Sequence, residues 1–144
     1  MQLPLSIEET EAIIPQKHPF VLVSRLLTAS EAGGKTSFTI PENHVLVDNG
    51  ELQPSGLMEN MAQSCAALMG FRGAMTGEQP KIGFIGDIRS FTFNRLPKVG
   101  TTIETDISIE NQIFDVTMIG GQIFENGEPI AECKMKIFVR PQNG

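Results

Sequence analysis

The chain has 144 residues, 40% hydrophobic and 19% charged, a composition that predicts one ordinary folded domain over residues 1–144 and excludes a disordered chain. Its net charge of −6 and the lack of a local Lys/Arg cluster argue against a nucleic-acid partner. No stretch approaches the ~18 apolar residues of a membrane span, and the N-terminal sequence lacks a basic region followed by an apolar run, so we expect a cytoplasmic protein without a membrane partner.

The first part of the chain predicts one short helix and two strands. Ser6 and Glu9 have the spacing of a capping box, which marks the start of a helix. Two β-rich stretches follow, separated by a glycine pair that is typical of a turn. These elements are a helix ending near Ile14 and Pro15, strands over residues 20–28 and 35–40, and a turn at Gly33 and Gly34.

A long helix is predicted over about residues 55–71, because apolar side chains recur there at helical spacing. They are Leu57, Met58, Met61, Ala62, Cys65, Leu68 and Met69. Glu59 lies inside this pattern, and a buried carboxylate costs several kcal/mol unless it is paired, hydrogen-bonded or protonated. The alternative is a solvated face, but the neighbours of Glu59 three and four residues away are small or amide side chains: Ser55, Gly56, Ala62 and Gln63. Glu59 is therefore a candidate proton donor.

His44 is one of only two histidines and precedes this helix closely. A lone histidine near a strand end is commonly a structural hydrogen-bonding residue. Together with Glu59, however, it makes a pair suited to acid/base chemistry. The other histidine, His18, is expected to be a loop or packing residue, with substrate contact as the alternative.

Cys65 and Cys133 lie far apart, one in the predicted helix and one in a late strand. There is no C-x-x-C spacing, and two histidines are too few to complete a metal site with them. We therefore expect reduced packing residues, and neither a metal nor a redox cofactor.

The rest of the chain predicts four strands after the helix. Asn126-Gly127 is a strong signal for the hairpin that joins the last two. The predicted strands are 82–94, 101–109, 114–124 and 129–139. One long apolar helix among five or six strands is an α+β layout, in which a curled antiparallel sheet wraps around one central helix. This arrangement is the hotdog fold.

Three segments in this order resemble the 3-hydroxyacyl-acyl-carrier-protein dehydratases, and within them the divergent branch associated with aryl-polyene-type pathways. Residues 14–25, IPQKHPFVLVSR, are similar to the family's opening LPHRYPFLLVDR. Residues 44–63, HVLVDNGELQPSGLMENMAQ, are similar to its active-site segment. Residues 83–86, GFIG, with Phe93, Pro97 and Gly100, are similar to its long strand and turn. The resemblance covers nearly the whole chain.

Carried over by position, the resemblance places His44 on the family's catalytic histidine, Glu59 on its helical carboxylate, and Ala62-Gln63 on the Ala-Gln that follows. Several positions depart from the pattern. The common Gly-His-Phe-Pro has become Asn43-His44-Val45-Leu46, one residue is added between the histidine and the carboxylate, and Pro-Gly has become Pro54-Ser55-Gly56. Gln16, His18 and Ser24 stand where the family has His, Tyr and Asp.

The implied reaction is dehydration of a 3-hydroxyacyl thioester to the trans-2-enoyl thioester in fatty-acid or aryl-polyene-type biosynthesis. It needs a base for the α proton and an acid for the leaving hydroxide. His44 is the expected base, and Glu59, in an apolar helix that favours its protonated form, the expected acid. Backbone N–H groups near Ser55 and Gly56 are expected to stabilise the enolate oxygen. Gln63 either orients the carboxyl group of Glu59 by a hydrogen bond or is a buried amide with structural partners only.

The resemblance also implies a site between two protomers, with His44 from one and Glu59 from the other, in a homodimer or a multiple of it. Phe84 is a candidate for an acyl tunnel, for which ordinary core packing is the alternative. An acyl carrier protein is acidic, so its docking calls for basic residues. The candidates are Arg72, Arg89, Arg95 and Lys98, and Arg89 also matches an Arg of the divergent branch.

Two other functions fit the same fold. An acyl-thioester hydrolase would use a helical carboxylate to assist water and would not need His44. A non-catalytic subunit would bind chains or complete the site of another dehydratase. The sequence alone leaves both open.

Overall fold

The computed structural model describes residues 2–77 and 81–141, apart from the side chains of residues 81–86 and 139–141. Within these ranges the chain forms two helices, α1 (Ile7–Ala12) and α2 (Pro54–Thr76), and eight strands. The strands are β1 (Arg25–Ser30), β2 (Gly33–Thr39), β3 (Val47–Asp48), β4 (Glu51–Leu52), β5 (Lys81–Phe93), β6 (Thr102–Ile113), β7 (Val116–Glu125) and β8 (Glu128–Pro141).

Six strands form one antiparallel sheet in the order β1-β2-β6-β7-β8-β5, and β3 pairs with β4 in a small separate hairpin. Along β6 and β7 alternate residues are buried, because successive side chains of a strand point to opposite faces. The buried face packs against α2, whose apolar residues lie at the centre of the core. The predicted α+β hotdog fold is confirmed.

Several local predictions are confirmed as well. Ser6 and Glu9 form the capping box of α1 through both reciprocal hydrogen bonds. Helix α2 is longer than predicted: it ends at Thr76 instead of residue 71. Gly77, in the left-handed conformation at φ 73°, terminates it. Asn126 and Gly127 form the hairpin turn between β7 and β8 with positive φ angles.

The first predicted strand is wrong in its first half. Strand β1 begins at Arg25 and not at residue 20. The backbone of Phe20, Val21 and Leu22 lies outside the sheet and bonds instead to side chains of α2 and to His44. In these three residues, hydrogen bonds to side chains take the place of the backbone hydrogen bonds that a neighbouring strand would make.

The turn predicted at Gly33 and Gly34 is also wrong. Both glycines belong to β2, where they pair with Ser108 and Ile107, and the turn consists of residues 31 and 32. An added Cβ at Gly33 would overlap the carbonyl oxygen of Ile107. The glycines therefore serve a close approach of two strands rather than a turn.

Cys65 and Cys133 are free and buried, as expected of packing residues. Burial raises the pKa of the Cys65 thiol to about 12 and that of Cys133 to about 11, because an apolar surrounding disfavours the thiolate. The Cys133 thiol lies 3.5 Å from the sulfur of Met61. Neither thiol is activated for nucleophilic chemistry.

Two glycines of α2 provide a matched test of how closely the N-terminal segment packs on this helix. An added Cβ at Gly70 would overlap the carbonyl oxygen of Ile13, whereas one at Gly73 would meet nothing within 4 Å. We predict that Gly70→Ala lowers the free energy of unfolding by about 1–3 kcal/mol. Gly73→Ala should raise it by about 0.5–1 kcal/mol, because alanine is the better helix former. Equilibrium urea unfolding measures both, and equal stabilisation by the two would contradict the close approach.

Candidate active site

Three consecutive residues, Phe20, Val21 and Leu22, form a segment that we call the strap. Gln63 of α2 holds it twice: Oε1 accepts a hydrogen bond from the N–H of Leu22 at 2.6 Å, and Nε2 donates to the carbonyl of Phe20 at 2.9 Å. Asn60, one turn earlier in the helix, donates from Nδ2 to the carbonyl of Leu22 at 2.7 Å. The strap is therefore fixed to α2 by two amide side chains.

Asn60 is a functional candidate that the sequence analysis missed. It is completely buried, and its Oδ1 accepts a hydrogen bond from the hydroxyl of Thr105 on β6 at 2.6 Å. The signal was present, because Asn60 interrupts the same apolar pattern as Glu59 and a buried amide needs partners for the same physical reason.

His44 contacts the third carbonyl of the strap, that of Val21. Its ring is 8% exposed, and Nε2 lies 3.2 Å from the carbonyl oxygen of Val21. Nδ1 accepts a hydrogen bond from the N–H of Leu46 at 3.0 Å. A carbonyl can only accept, and a backbone N–H can only donate. This pair of contacts therefore fits a neutral ring with its proton on Nε2 and its lone pair on Nδ1.

The surroundings of His44 favour this neutral form. Burial lowers the pKa of His44 because it penalises the charged imidazolium, and the charge of His18 lowers it further. The hydrogen bond to Val21 acts in the opposite direction, and burial dominates. A histidine of this kind is a proton acceptor at neutral pH.

Glu59 is half-buried near the middle of the first half of α2. One of its carboxyl oxygens, Oε1, accepts a hydrogen bond from Nε2 of Gln63 at 3.2 Å. Gln63 is itself held by the strap, so the orientation of its amide group is determined. Gln63 thus lies where the sequence analysis expected a residue that orients the carboxyl group.

His44 and Glu59 do not meet within the described chain. No hydrogen bond or ion pair joins them there, and they attach to different parts of the strap, His44 to Val21 directly and Glu59 to Phe20 and Leu22 through Gln63. One chain therefore presents the two groups separately.

The start of α2 offers one backbone donor where two were expected. Gln53 is the N-cap residue and Pro54, which has no N–H, is the first helical residue. The N–H of Gly56 donates to the carbonyl of Gln53 at 2.8 Å, so it is already used. Among the described hydrogen bonds the N–H of exposed Ser55 has none, and the helix dipole makes this end favourable for a negative oxygen.

Two of the basic candidates are paired with neighbouring carboxylates. Arg89 lies on β5, exposed, with Nε 2.7 Å from the carboxylate of Asp87. Arg95 is bound to Glu125 and Glu128, both at 3.0 Å. The side chain of Phe84 lies outside the described part of the structure.

Of the predicted docking residues, Arg72 donates to the carbonyl of Ser30. Lys98 lies beside Glu51, next to the start of α2.

Both histidines line one cavity of about 410 Å³. His18 lies at its exposed side, and its Nε2 is 3.0 Å from the carboxylate of Glu11 on α1. In the described part of the chain no cluster of three or more His, Cys, Asp or Glu residues is arranged to hold a metal ion. In that same part no helix is long and apolar enough to cross a membrane.

The model of the ApeP-like family, described as ApeP dehydratase, matches residues 8–143. No curated protein is significantly similar to the chain in sequence.

Among solved structures, the dehydratase heterocomplex ApeI:P from Xenorhabdus doucetiae has a TM-score of 0.85 and 16% identity, over 99% of this chain and 95% of that one. A hypothetical thioesterase from Streptococcus pneumoniae TIGR4, solved with coenzyme A, has a TM-score of 0.65 and 13% identity, over 81% and 88%. PaaI from the phenylacetic acid degradation operon of E. coli has a TM-score of 0.63 and 12% identity, over 78% and 80%. At identities this low, the similarity shows that these proteins and this chain share a fold.

Replacing Gln63 tests whether the strap depends on its amide. We predict that Gln63→Met, which is similar in size and apolar, lowers the free energy of unfolding by about 1–3 kcal/mol, because it leaves the buried N–H of Leu22 and the partly buried carbonyl of Phe20 unpaired. Gln122→Met on the exposed face of β7 is the control and should change it by less than about 0.5 kcal/mol. Thermal or urea unfolding measures both, and equal stabilities would contradict the role of the amide.

Proposed function

Because the chain belongs to the ApeP-like dehydratase family, we propose that it dehydrates a 3-hydroxyacyl thioester, carried by an acyl carrier protein, to the trans-2-enoyl thioester. The observation that carries the proposal is the state of His44. It is neutral and buried, with its proton directed to the Val21 carbonyl, so that Nδ1 holds the lone pair. A fixed tautomer of this kind is what a general base requires.

In the proposed step Nδ1 of His44 takes the α proton of the substrate, and the electron pair moves into the thioester carbonyl. The N–H of Ser55 at the positive end of α2 stabilises the resulting enolate oxygen. As the enolate collapses, the double bond forms between the α and β carbons and the β C–O bond breaks. Glu59, protonated in this step, gives its proton to the leaving hydroxide, which departs as water.

We further propose that the two groups come from different subunits. Within the described part of one chain no hydrogen bond or ion pair joins His44 to Glu59, so nothing there requires both groups of a site to come from the same chain. The 13-residue strand β5 supports the proposal. In the described part of the structure β5 pairs with β8 on one edge only, and an unpaired edge is a template for an added strand.

The second subunit is either another copy of this chain or a different dehydratase subunit. The similar structure from X. doucetiae is a dehydratase heterocomplex, which supports a heteromeric partner. For the carrier, Lys98 is the basic residue best placed near the start of α2, since Arg89 and Arg95 are neutralised by neighbouring carboxylates.

One observation favours a second candidate function, that of a non-catalytic subunit. The N–H of Leu46 occupies the lone pair of Nδ1 in His44. If that hydrogen bond persists with substrate bound, His44 only fixes the strap, and this chain contributes Glu59 or a binding surface to the site of its partner.

Single variants test the assigned roles. We predict that His44→Ala and Glu59→Gln each lower kcat by about 10²–10⁴-fold, the usual contribution of a positioned acid or base. Glu59→Gln retains an oxygen that accepts from Gln63, so it removes the transferable proton at little cost to the fold. Glu132→Gln on the exposed side of β8 is the matched control. Formation of the enoyl thioester from 3-hydroxyacyl carrier-protein substrates of several chain lengths is followed by ultraviolet absorbance and mass spectrometry.

Full activity in either variant would refute its role. Release of free acid would show a hydrolase. A wild type that is active only with a second dehydratase subunit fits a shared heteromeric site if His44→Ala abolishes that activity, and the non-catalytic function if His44→Ala leaves it unchanged. The two variants also test the shared site. In a homodimer, mixing and refolding them should restore about a quarter of wild-type activity, because half of the random dimers have one intact site of two. A site within one chain would give no recovery.

The pH profile tests the state of His44. Since burial lowers its pKa, the base stays neutral to a lower pH than an ordinary histidine, whose pKa is about 6.5. We predict that kcat/KM falls as the pH falls, with a midpoint below about 6.5. The residual activity of His44→Ala should lack this limb. A limb centred above 6.5, or one that survives in His44→Ala, would contradict the assignment.

A further inference from the structure

The cavity that His44 shares with His18 has a wall of mixed character. Its polar members are carboxyl, hydroxyl, amide and imidazole groups, which can hold water in a space of about 410 Å³. These residues are Glu11, His18, Ser24, Thr39, Glu42, Asn43 and His44. The cavity therefore gives the buried base a polar route to the protein surface.

Outside this cavity His44 has little access to solvent. Its ring is 8% exposed, and both nitrogens are engaged by backbone groups. After each proposed turnover His44 carries an extra proton, which has to leave before the base can act again. Direct transfer from a ring so enclosed to a buffer molecule is sterically restricted.

His18 lies at the other end of this route. Its side chain is 69% exposed, and Glu11 holds its Nε2 at 3.0 Å, which leaves Nδ1 free to exchange protons. The ionisable groups that face it across the described cavity are Glu11 of α1 and, from the loop before β3, Glu42 and His44. Apart from His44, His18 carries the only imidazole among them.

We propose that His18, positioned by Glu11, relays protons between His44 and solvent. This proposal rests on the proposed function. The imidazolium of His44 gives one proton to water in the cavity, that water protonates Nδ1 of His18, and His18 then releases a proton to buffer. His44 returns to the neutral form with its Nε2 proton on Val21. No bonds other than these N–H and O–H bonds change, and Glu59, which gave its proton to the leaving hydroxide, takes one back from solvent, so that no net proton is released per turnover.

The test is buffer rescue of His18→Gln. In dilute buffer this variant should turn over about tenfold more slowly than the wild type, less than the ~10²–10⁴-fold effect of losing the base itself. Added imidazole, which carries protons into the cavity in place of the side chain, should restore most of the rate and leave the wild type nearly unchanged. Glu11→Gln should show a smaller loss of the same kind, and Glu8→Gln on the exposed side of α1 should show none.

The outcomes are distinguishable. Slowing with rescue supports the relay. Slowing without rescue overturns it and assigns His18 a structural or substrate-binding role, while an unchanged rate at every buffer concentration overturns it outright. A wild type that forms no enoyl thioester refutes the proposed function first, and the relay with it.

Discussion

The hydrogen bonding of the strap is the constraint on which the candidate site depends. Phe20, Val21 and Leu22 lie outside the sheet, and buried backbone groups that lack partners cost free energy comparable to that of a lost hydrogen bond. Gln63, Asn60 and His44 supply those partners from two different parts of the chain. The same bonds that satisfy the strap contribute to the tautomer of His44, the proposed base, and hold the amide of Gln63 that contacts Glu59, the proposed acid.

This dependence explains polar residues in an otherwise apolar helix. A core of this size would be more simply filled by leucine at positions 60 and 63, since each buried amide costs several kcal/mol unless its groups are bonded. Here each amide has partners on both of its polar atoms, with Thr105 completing Asn60. Satisfied networks of this kind rigidify their surroundings, which a pair of catalytic groups requires.

The sequence predicted what short-range chemistry determines. The period of apolar residues located α2 and the strands, and the spacing of Ser6 and Glu9 located α1. It failed where long-range contacts decide. The strap is rich in β-forming residues, so its sequence predicts a strand. In the structure its backbone bonds to the distant side chains of Asn60 and Gln63 instead of to the sheet. Gly33 and Gly34 suggest a turn from the sequence, but in the structure they allow close approach to neighbouring strands, Gly33 to Ile107 and Gly34 to Thr28.

The same limit applies to the site itself. That His44 and Glu59 belong to one site is an expectation from the family resemblance. The period of apolar residues locates helices and strands, but it cannot show which distant side chains hydrogen-bond to the same segment. Both groups are held to the same strap, His44 directly and Glu59 through Gln63. A movement of Val21 that changes its hydrogen bond with His44 would therefore also move the neighbouring carbonyls that accept from Gln63 and Asn60. If the site is shared between subunits, each strap then connects the base of one site with the acid of the other.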